Sequence, residues 1–300
     1  MASSGRDRKN SPLIIFVWVL LAIICIQGYF ILTRKPVEVK PVKVQGSVVP
    51  VVTRKPVKPV LAKQPFVKKP GESTRRIAVV IDDWGYNDSH CKYLAMMPRP
   101  AGIAILPGLQ YSQEIIKCAL DNGKQPMLHL PLEPYNHKEM FDKEYVLTTA
   151  MSASALKATI SRVMDEMKGV VGVNNHTGSK GSESELVVST VLSEVKSRGL
   201  FFVDSVTSER SLFGNVAARL KMHIARRDVF LDNRNERVAI EQQFAEAAKI
   251  ARINGFALVI GHDRVLSLQI IIEQMKKLSS EGYDFVSVPE YIKKNEYPRY

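Results

Sequence analysis

The chain has 300 residues, 45% of them hydrophobic and 24% charged, which excludes a wholly disordered chain, a collagen and a multi-span membrane protein. Its formal net charge of +12 is carried by residues 1–70, where 13 Lys+Arg face only Asp7 and Glu38. Residues 71–300 hold 29 basic and 28 acidic groups, so no nucleic-acid partner is expected for the main domain, and three cysteines are too few for a disulfide-built scaffold.

Residues 1–11 read as a short N-terminal tail. Residues 12–32, PLIIFVWVLLAIICIQGYFIL, carry no charge and have the length of a bilayer-crossing helix. They predict an uncleaved transmembrane anchor. A cleaved signal has a shorter apolar core and ends in small residues, which Cys25-Ile26-Gln27-Gly28-Tyr29 does not supply. Arg6, Arg8 and Lys9 precede the span and Arg34, Lys35, Lys40 and Lys43 follow it, so charge alone leaves the orientation open. Residues 33–73 read as a Lys/Pro/Val-rich linker. Its prolines at 36, 41, 50, 56, 59, 65 and 70 favour extended polyproline geometry. At about 3.1 Å per residue it reaches on the order of 100 Å.

The pattern then alternates. Strands are predicted over 77–82, 102–106, 126–130, 170–174, 200–204, 223–225, 257–260 and 285–288. Helices are predicted over about 87–97, 110–122, 152–167, 182–198, 208–220, 236–254 and 265–281. Strands that are apolar throughout belong in a parallel sheet covered on both faces. Such alternation over about 220 residues gives a doubly wound sheet or a barrel, and seven or eight repeats favour the barrel. Asp82-Asp83-Trp84-Gly85 stands where a nucleotide-binding half would carry a Gly-rich loop. Residues 293–300 read as a C-terminal tail.

Active sites of parallel α/β folds form at the carboxyl ends of the strands. Those ends read Asp82-Asp83, His129 to Glu133, Asn174-Asn175-His176, Asp204-Ser205, Asp232 and Gly261-His262-Asp263-Arg264. Adjacent acids on a strand point to opposite sides, so one is free to bind a metal and the other to take a proton. Two imidazoles and a carboxylate form a common shell for catalytic Zn2+ with one open position. The alternative for each residue alone is a helix cap or a loop hydrogen bond.

Taken in order, Ile81-Asp82-Asp83-Trp84-Gly85, His129-Leu130-Pro131-Leu132-Glu133-Pro134, Gly172 to Ser179, Phe201 to Ser205, Arg226 to Asn233 and Ile260-Gly261-His262 resemble the divergent polysaccharide deacetylase family, related to the NodB-type carbohydrate esterases. The resemblance covers residues 74–292 and implies a distorted, NodB-like (β/α) barrel of about seven parallel strands and a metal-dependent hydrolase that removes N-acetyl groups from a cell-envelope glycan by attack of metal-bound water. It implies Asp82 as general base, His262 as general acid, and Asp83 and His129 as ligands of a divalent metal, Zn2+ first. The main deacetylases carry a second histidine four residues after the first, where this chain has Glu133. His176 is the substitute ligand and Glu133 its rival. Asn175, Asp204 and Asp232 are second-tier pocket residues. The expected partners are an acetylated glycan of peptidoglycan type and the membrane, through residues 12–32. The expected location is a bacterial-type inner membrane, single-pass, with the catalytic domain periplasmic or extracellular. A glycan-binding scaffold protein on the same barrel, without turnover, is the alternative reading.

Other residues have plainer readings. His90 and His137 are expected at the surface, and His223 in a structural role. Cys91 and Cys118, on neighbouring predicted helices, are expected as free thiols, with pairing in an oxidising compartment as the alternative. Trp84 and Tyr86 either stack on a sugar ring or pack the first loop.

Overall fold

The computed structural model describes residues 75–294. The expected N-terminal tail, anchor and linker lie outside the described residues, as does the end of the chain from 295. Among the described residues no helix is long and apolar enough to cross a membrane.

The described chain runs β1 (Arg76–Trp84), α1 (Cys91–Met96), β2 (Gly102–Ile105), α2 (Ser112–Asp121), β3 (Gln125–Leu132), α3 (Ala153–Glu166), β4 (Gly172–Thr177), α4 (Glu185–Ser197), β5 (Phe201–Asp204), α5 (Phe213–Arg219), β6 (Ala225–Arg226), β7 (Val229–Phe230), α6 (Arg237–Asn254), β8 (Phe256–His262), α7 (Val265–Ser280), β9 (Asp284–Phe285) and α8 (Val288–Lys294). Ser152 and Ser184 cap α3 and α4 by accepting from the Ala155 and Val187 N–H groups, 3.3 and 3.5 Å away.

All the ladders are parallel, in the order β6-β5-β4-β3-β2-β1-β8-β7, with β9 also on β1. The two edge strands, β6 and β7, are separated in the chain only by Arg227-Asp228. The Arg227 N–H donates to Asp204 O at 3.0 Å on one side, and the Asp228 N–H to Leu258 O at 2.8 Å on the other. One extended segment thus touches both edges of a curled sheet, and no continuous ladder closes the ring. This corrects the expected count of about seven strands. Nine are present among the described residues, and β6, β7 and β9 have only two residues each. The run 285–288, expected as a strand, breaks after Phe285 and enters α8, so the expected boundary at 292 falls inside a helix.

Side-chain alternation divides the core in two. Ile77, Val79 and Ile81 of β1 face the helices, packing with Ile103, Leu128, Leu192 and Ile271. Ala78 and Val80 face inside the curl with Ala104, Met127, Val203, Leu258 and Ile260, and Val288 and Tyr291 of α8 fill the same interior. Each fully buried Val, Leu or Ile contributes about 1.5–3 kcal/mol. Small residues and α8 fill one end of the interior and leave the other, at the strand C-termini, to polar groups.

Cys91 and Cys118 are joined in a disulfide between α1 and α2, with Cα atoms 6.2 Å apart. The expectation of free thiols is corrected by this proximity, which residues 27 positions apart do not reveal in sequence. Closing a loop of that length restricts the unfolded chain, an effect of about 3 kcal/mol. Replacing both cysteines by serine should therefore lower the unfolding free energy by roughly 2–4 kcal/mol. Denaturant titration checks this, with the reducing agent DTT expected to reproduce the loss in the parent protein.

Candidate metal centre

The inward series of each strand ends at one rim. Asp82 follows Ala78 and Val80 on β1, and stands opposite His262 of β8 in register. His129 follows Met127 on β3, opposite Asn174 of β4. Asp83 should then point outward, but β1 bulges there. From Ile81 to Trp84 it advances three residues while its partner advances two, from Ile103 to Ile105. Asp83 absorbs the difference with φ of +67°, a left-handed conformation that aspartate tolerates better than most residues. Asp82 Oδ2 and Asp83 Oδ1 consequently lie 3.7 and 3.3 Å from the same atom, His129 Nε2. The expectation that the two acids point apart is corrected by this bulge.

His176 completes a triangle. Its Nδ1 is 3.2 Å from Asp83 Oδ1 and 3.1 Å from His129 Nε2. A zinc-type ion about 2.0–2.1 Å from three tetrahedral ligands needs them roughly 3.3–3.4 Å apart. The three sides, 3.1–3.3 Å, fit one face of such a tetrahedron with the fourth vertex left for water or substrate. The donor set, one carboxylate and two imidazoles, suits the same ion. Among the described residues this is the group of His, Cys, Asp and Glu side chains that could hold a metal ion.

The electrostatics are mutual. Burial pushes the Asp82 carboxyl above its usual range against the pull of His129 and His262. Burial works on Asp83 in the same sense, but hydrogen bonds and charge from His129 and His176 hold it far below that range. Burial disfavours charged His129, yet Asp82 and Asp83 outweigh it and raise its pKa. At His176, burial and the charge of His129 prevail and lower it.

A second pair stands beside the triangle. His262 Nδ1 donates to Asp232 Oδ1 at 2.6 Å, while the His262 N–H and Ser267 Oγ donate to Oδ2 at 3.0 and 2.5 Å. Phe230 stacks on the His262 ring, 5.5 Å between centroids and 6° from parallel, and the Arg227 guanidinium lies over the Phe230 ring, 4.1 Å from its centroid. Burial opposes the His262 charge, but Asp232 outweighs it and raises the pKa. Asp232 in turn is lowered, its burial overcome by His262 and Ser267.

The remaining expected residues support loops. Glu133 is outside the triangle. Its Oε2 accepts from the Thr149 N–H and hydroxyl at 2.7 and 2.6 Å, and its Oε1 from Lys180 Nζ at 2.7 Å. Asn175 accepts from the Ser205 N–H and donates to Thr177 O and Thr207 Oγ1. Asp204 accepts from the Val206 N–H and from Ser211 Oγ. His137 is exposed. His90 is no free surface group: its Nδ1 donates to Asp263 Oδ1 at 2.6 Å. Trp84 is fully buried and packs the first loop, whereas Tyr86 is 60% exposed.

Two neighbours were not among the expected site residues. Phe141 sets its ring edge-on to His176, 5.8 Å away, from a loop without periodic signal. Asn174, fully buried, has its Oδ1 2.9 Å from His129 Nδ1 and donates from Nδ2 to Asp82 Oδ1 at 2.8 Å. Parity would have found it, because Asn174 shares a strand face with His176 and Asn175 does not.

A model of divergent polysaccharide deacetylases matches residues 79–292. An uncharacterized protein of Haemophilus influenzae is 28% identical over 206 residues, 69% of this chain and 73% of that protein. The uncharacterized protein YibQ of Escherichia coli is 29% identical over 203 residues, 68% of this chain, which thereby spans 63% of the relative's length. The crystal structure of an uncharacterized Agrobacterium tumefaciens protein superposes with a TM-score of 0.69 at 22% identity, covering 75% of this chain and 92% of that one, and so shares the fold. With the match running over most of the chain and through every strand end that builds the rim, this protein belongs to the divergent polysaccharide deacetylase family.

Proposed function

We propose that this protein removes N-acetyl groups from a cell-envelope glycan of peptidoglycan type, using a divalent cation, Zn2+ first, held by Asp83, His129 and His176. The observation that carries the reading is the triangle of three ligand atoms 3.1–3.3 Å apart, with a buried carboxylate on one side and a carboxylate-backed imidazole near it. When bound, such a cation lowers the pKa of water and polarises a carbonyl. Asp82 takes a proton from the water that attacks the acetyl carbon. Its burial brings its pKa nearer to the working pH of a general base. As the carbon–nitrogen bond breaks, His262 gives its Nε2 proton to the leaving amine, and the products are acetate and a free amino sugar. Asp232 holds His262 Nδ1 and favours the charged ring that donates. The disulfide supports an oxidising compartment. With the uncharged run 12–32 it supports a membrane-anchored protein whose domain is periplasmic or extracellular.

Two sets of variants test this. His129→Ala and His176→Ala should each strip zinc from the purified protein, whereas Glu133→Gln should leave the zinc content intact and lower stability by about 1–2 kcal/mol through loss of its charged hydrogen bonds. Atomic emission after desalting reads the metal. Zinc retained by His176→Ala but lost from Glu133→Gln would reverse the ligand assignment.

Asp82→Asn and His262→Ala should keep zinc while acetate release falls about 10²–10⁴-fold. The carboxylates that favour charged His262 are Asp232, Asp82 and Asp83. Removing the first with Asp232→Asn leaves burial, which lowers the pKa. The alkaline limb of kcat/KM should then move to lower pH. An unmoved limb would show that His262 is not the proton donor. Glycan binding by the parent protein with no acetate release would give the scaffold reading instead.

A further inference from the structure

We propose that Asn174 is a positioning residue that performs two tasks with one amide: it fixes the tautomer of His129 and tethers the carboxylate of Asp82. The inference deepens the metal-dependent reading above and rests on it.

A primary amide has one acceptor oxygen and one two-proton donor nitrogen. Asn174 Nδ2 lies 2.8 Å from Asp82 Oδ1 and 3.2 Å from Ser205 Oγ, so both its protons have acceptors. The flipped amide would press its oxygen against the Asp82 carboxylate. The orientation is therefore set, and Oδ1 faces His129 Nδ1 at 2.9 Å. An oxygen there accepts, so the neutral His129 ring carries its proton on Nδ1 and keeps its lone pair on Nε2. Nε2 is the atom in the ligand triangle, 3.3 Å from Asp83 and 3.1 Å from His176. A histidine side chain free in water prefers the opposite tautomer, with the proton on Nε2. Asn174 is fully buried, and Asp82 and His129 are each 2% exposed, so water does not replace the amide.

The geometry also explains the residue type. Aspartate would keep an acceptor for His129 but has no donor for Asp82, and alanine has neither. Glutamine would extend the amide past partners that strand register fixes: His129 and Asn174 are paired residues of β3 and β4. A ligand histidine held through its second nitrogen is a general device, and losing the holder commonly costs 10–100-fold in metal affinity. Here the same holder also reaches the proposed base.

The test uses full-length protein labelled with ¹⁵N-histidine, metal-free, at a pH where the rings are neutral. Long-range ¹H–¹⁵N correlation should show His129 protonated on Nδ1 in the parent, and shifted toward Nε2–H in Asn174→Ala. Zinc alone, titrated against a competing chelator, should bind Asn174→Ala about 10–100-fold more weakly. Asn174→Asp should restore the Nδ1–H tautomer and hold zinc within a few-fold of the parent. Its acetate release should still fall by about 10²-fold, because the tether is gone. His129 protonated on Nε2 in the parent would overturn the proposal, as would an unchanged tautomer and zinc affinity in Asn174→Ala. Parent-like turnover of Asn174→Asp would overturn the tether. If Asn174→Ala does not fold, the parent spectrum and Asn174→Asp still decide. An Nδ1–H tautomer in a parent that releases no acetate would uphold the positioning role and count against the hydrolase reading alone.

Discussion

A strand in a curled parallel sheet shows one face to helices and the other to a narrow interior, and every residue's environment follows from its parity. Ile77, Val79 and Ile81 pack outward while Ala78 and Val80 pack inward, so Asp82 arrives inside with no further instruction. The same count delivers His129 on β3, Asn174 on β4 and His262 on β8. Parallel register then aligns these ends, with Asp82 opposite His262 and His129 opposite Asn174. A slip of one residue on any of these strands would send its polar group into the helix-facing core, where burial without a partner is strongly unfavourable.

The bulge at Asp82-Asp83 is the one departure from that parity, and it brings a second carboxylate to His129. Two carboxylates and two imidazoles crowd together at the rim, Asp82 and His129 buried and Asp83 and His176 partly open to solvent. Burial disfavours every charge there, and the neighbours decide which forms win. His129 and His176 hold Asp83 in its ionised form against its burial, and His262 and Asp232 favour each other's charged forms in the same way. The left-handed backbone at Asp83 is held by the same contacts, which is where local strain is expected in a working site.

Loop polar groups hold the rim in place. Glu133 ties the end of β3 to Thr149 and Lys180, and its carbonyl accepts from the Lys180 and Gly181 N–H groups at 3.0 and 2.8 Å. Gly178, with φ of +89°, makes the turn just after His176, where a Cβ would collide with Leu132. On the opposite side, Asp263 binds His90, and its N–H donates to Asp82 O at 2.9 Å. The helix that begins beside His90 is pinned by the Cys91–Cys118 disulfide.

The sequence by itself determined the alternation of strands and helices, because apolar runs and amphipathic repeats are local signals, and it brought Asp82, Asp83, His129, His176 and His262 to strand ends. The two-residue strands β6, β7 and β9 were beyond it or only grazed, since so short a pairing is chosen by neighbours and not by propensity. The direction of Asp83 was misread, because a bulge depends on what the adjacent strand does over the same stretch. Glu133 and His176 were left as rivals for one position. Only the fold shows where each lies, Glu133 with a lysine and a threonine of its own and His176 beside Asp83. Asn175 was chosen over Asn174 although parity distinguished them. The Cys91–Cys118 link, 27 residues apart, and the His90–Asp263 pair, 173 apart, were decided by tertiary structure alone. Chain separation carries no information about distance once helices and strands pack, and a hydrogen bond is set by tenths of an ångström that only packing fixes.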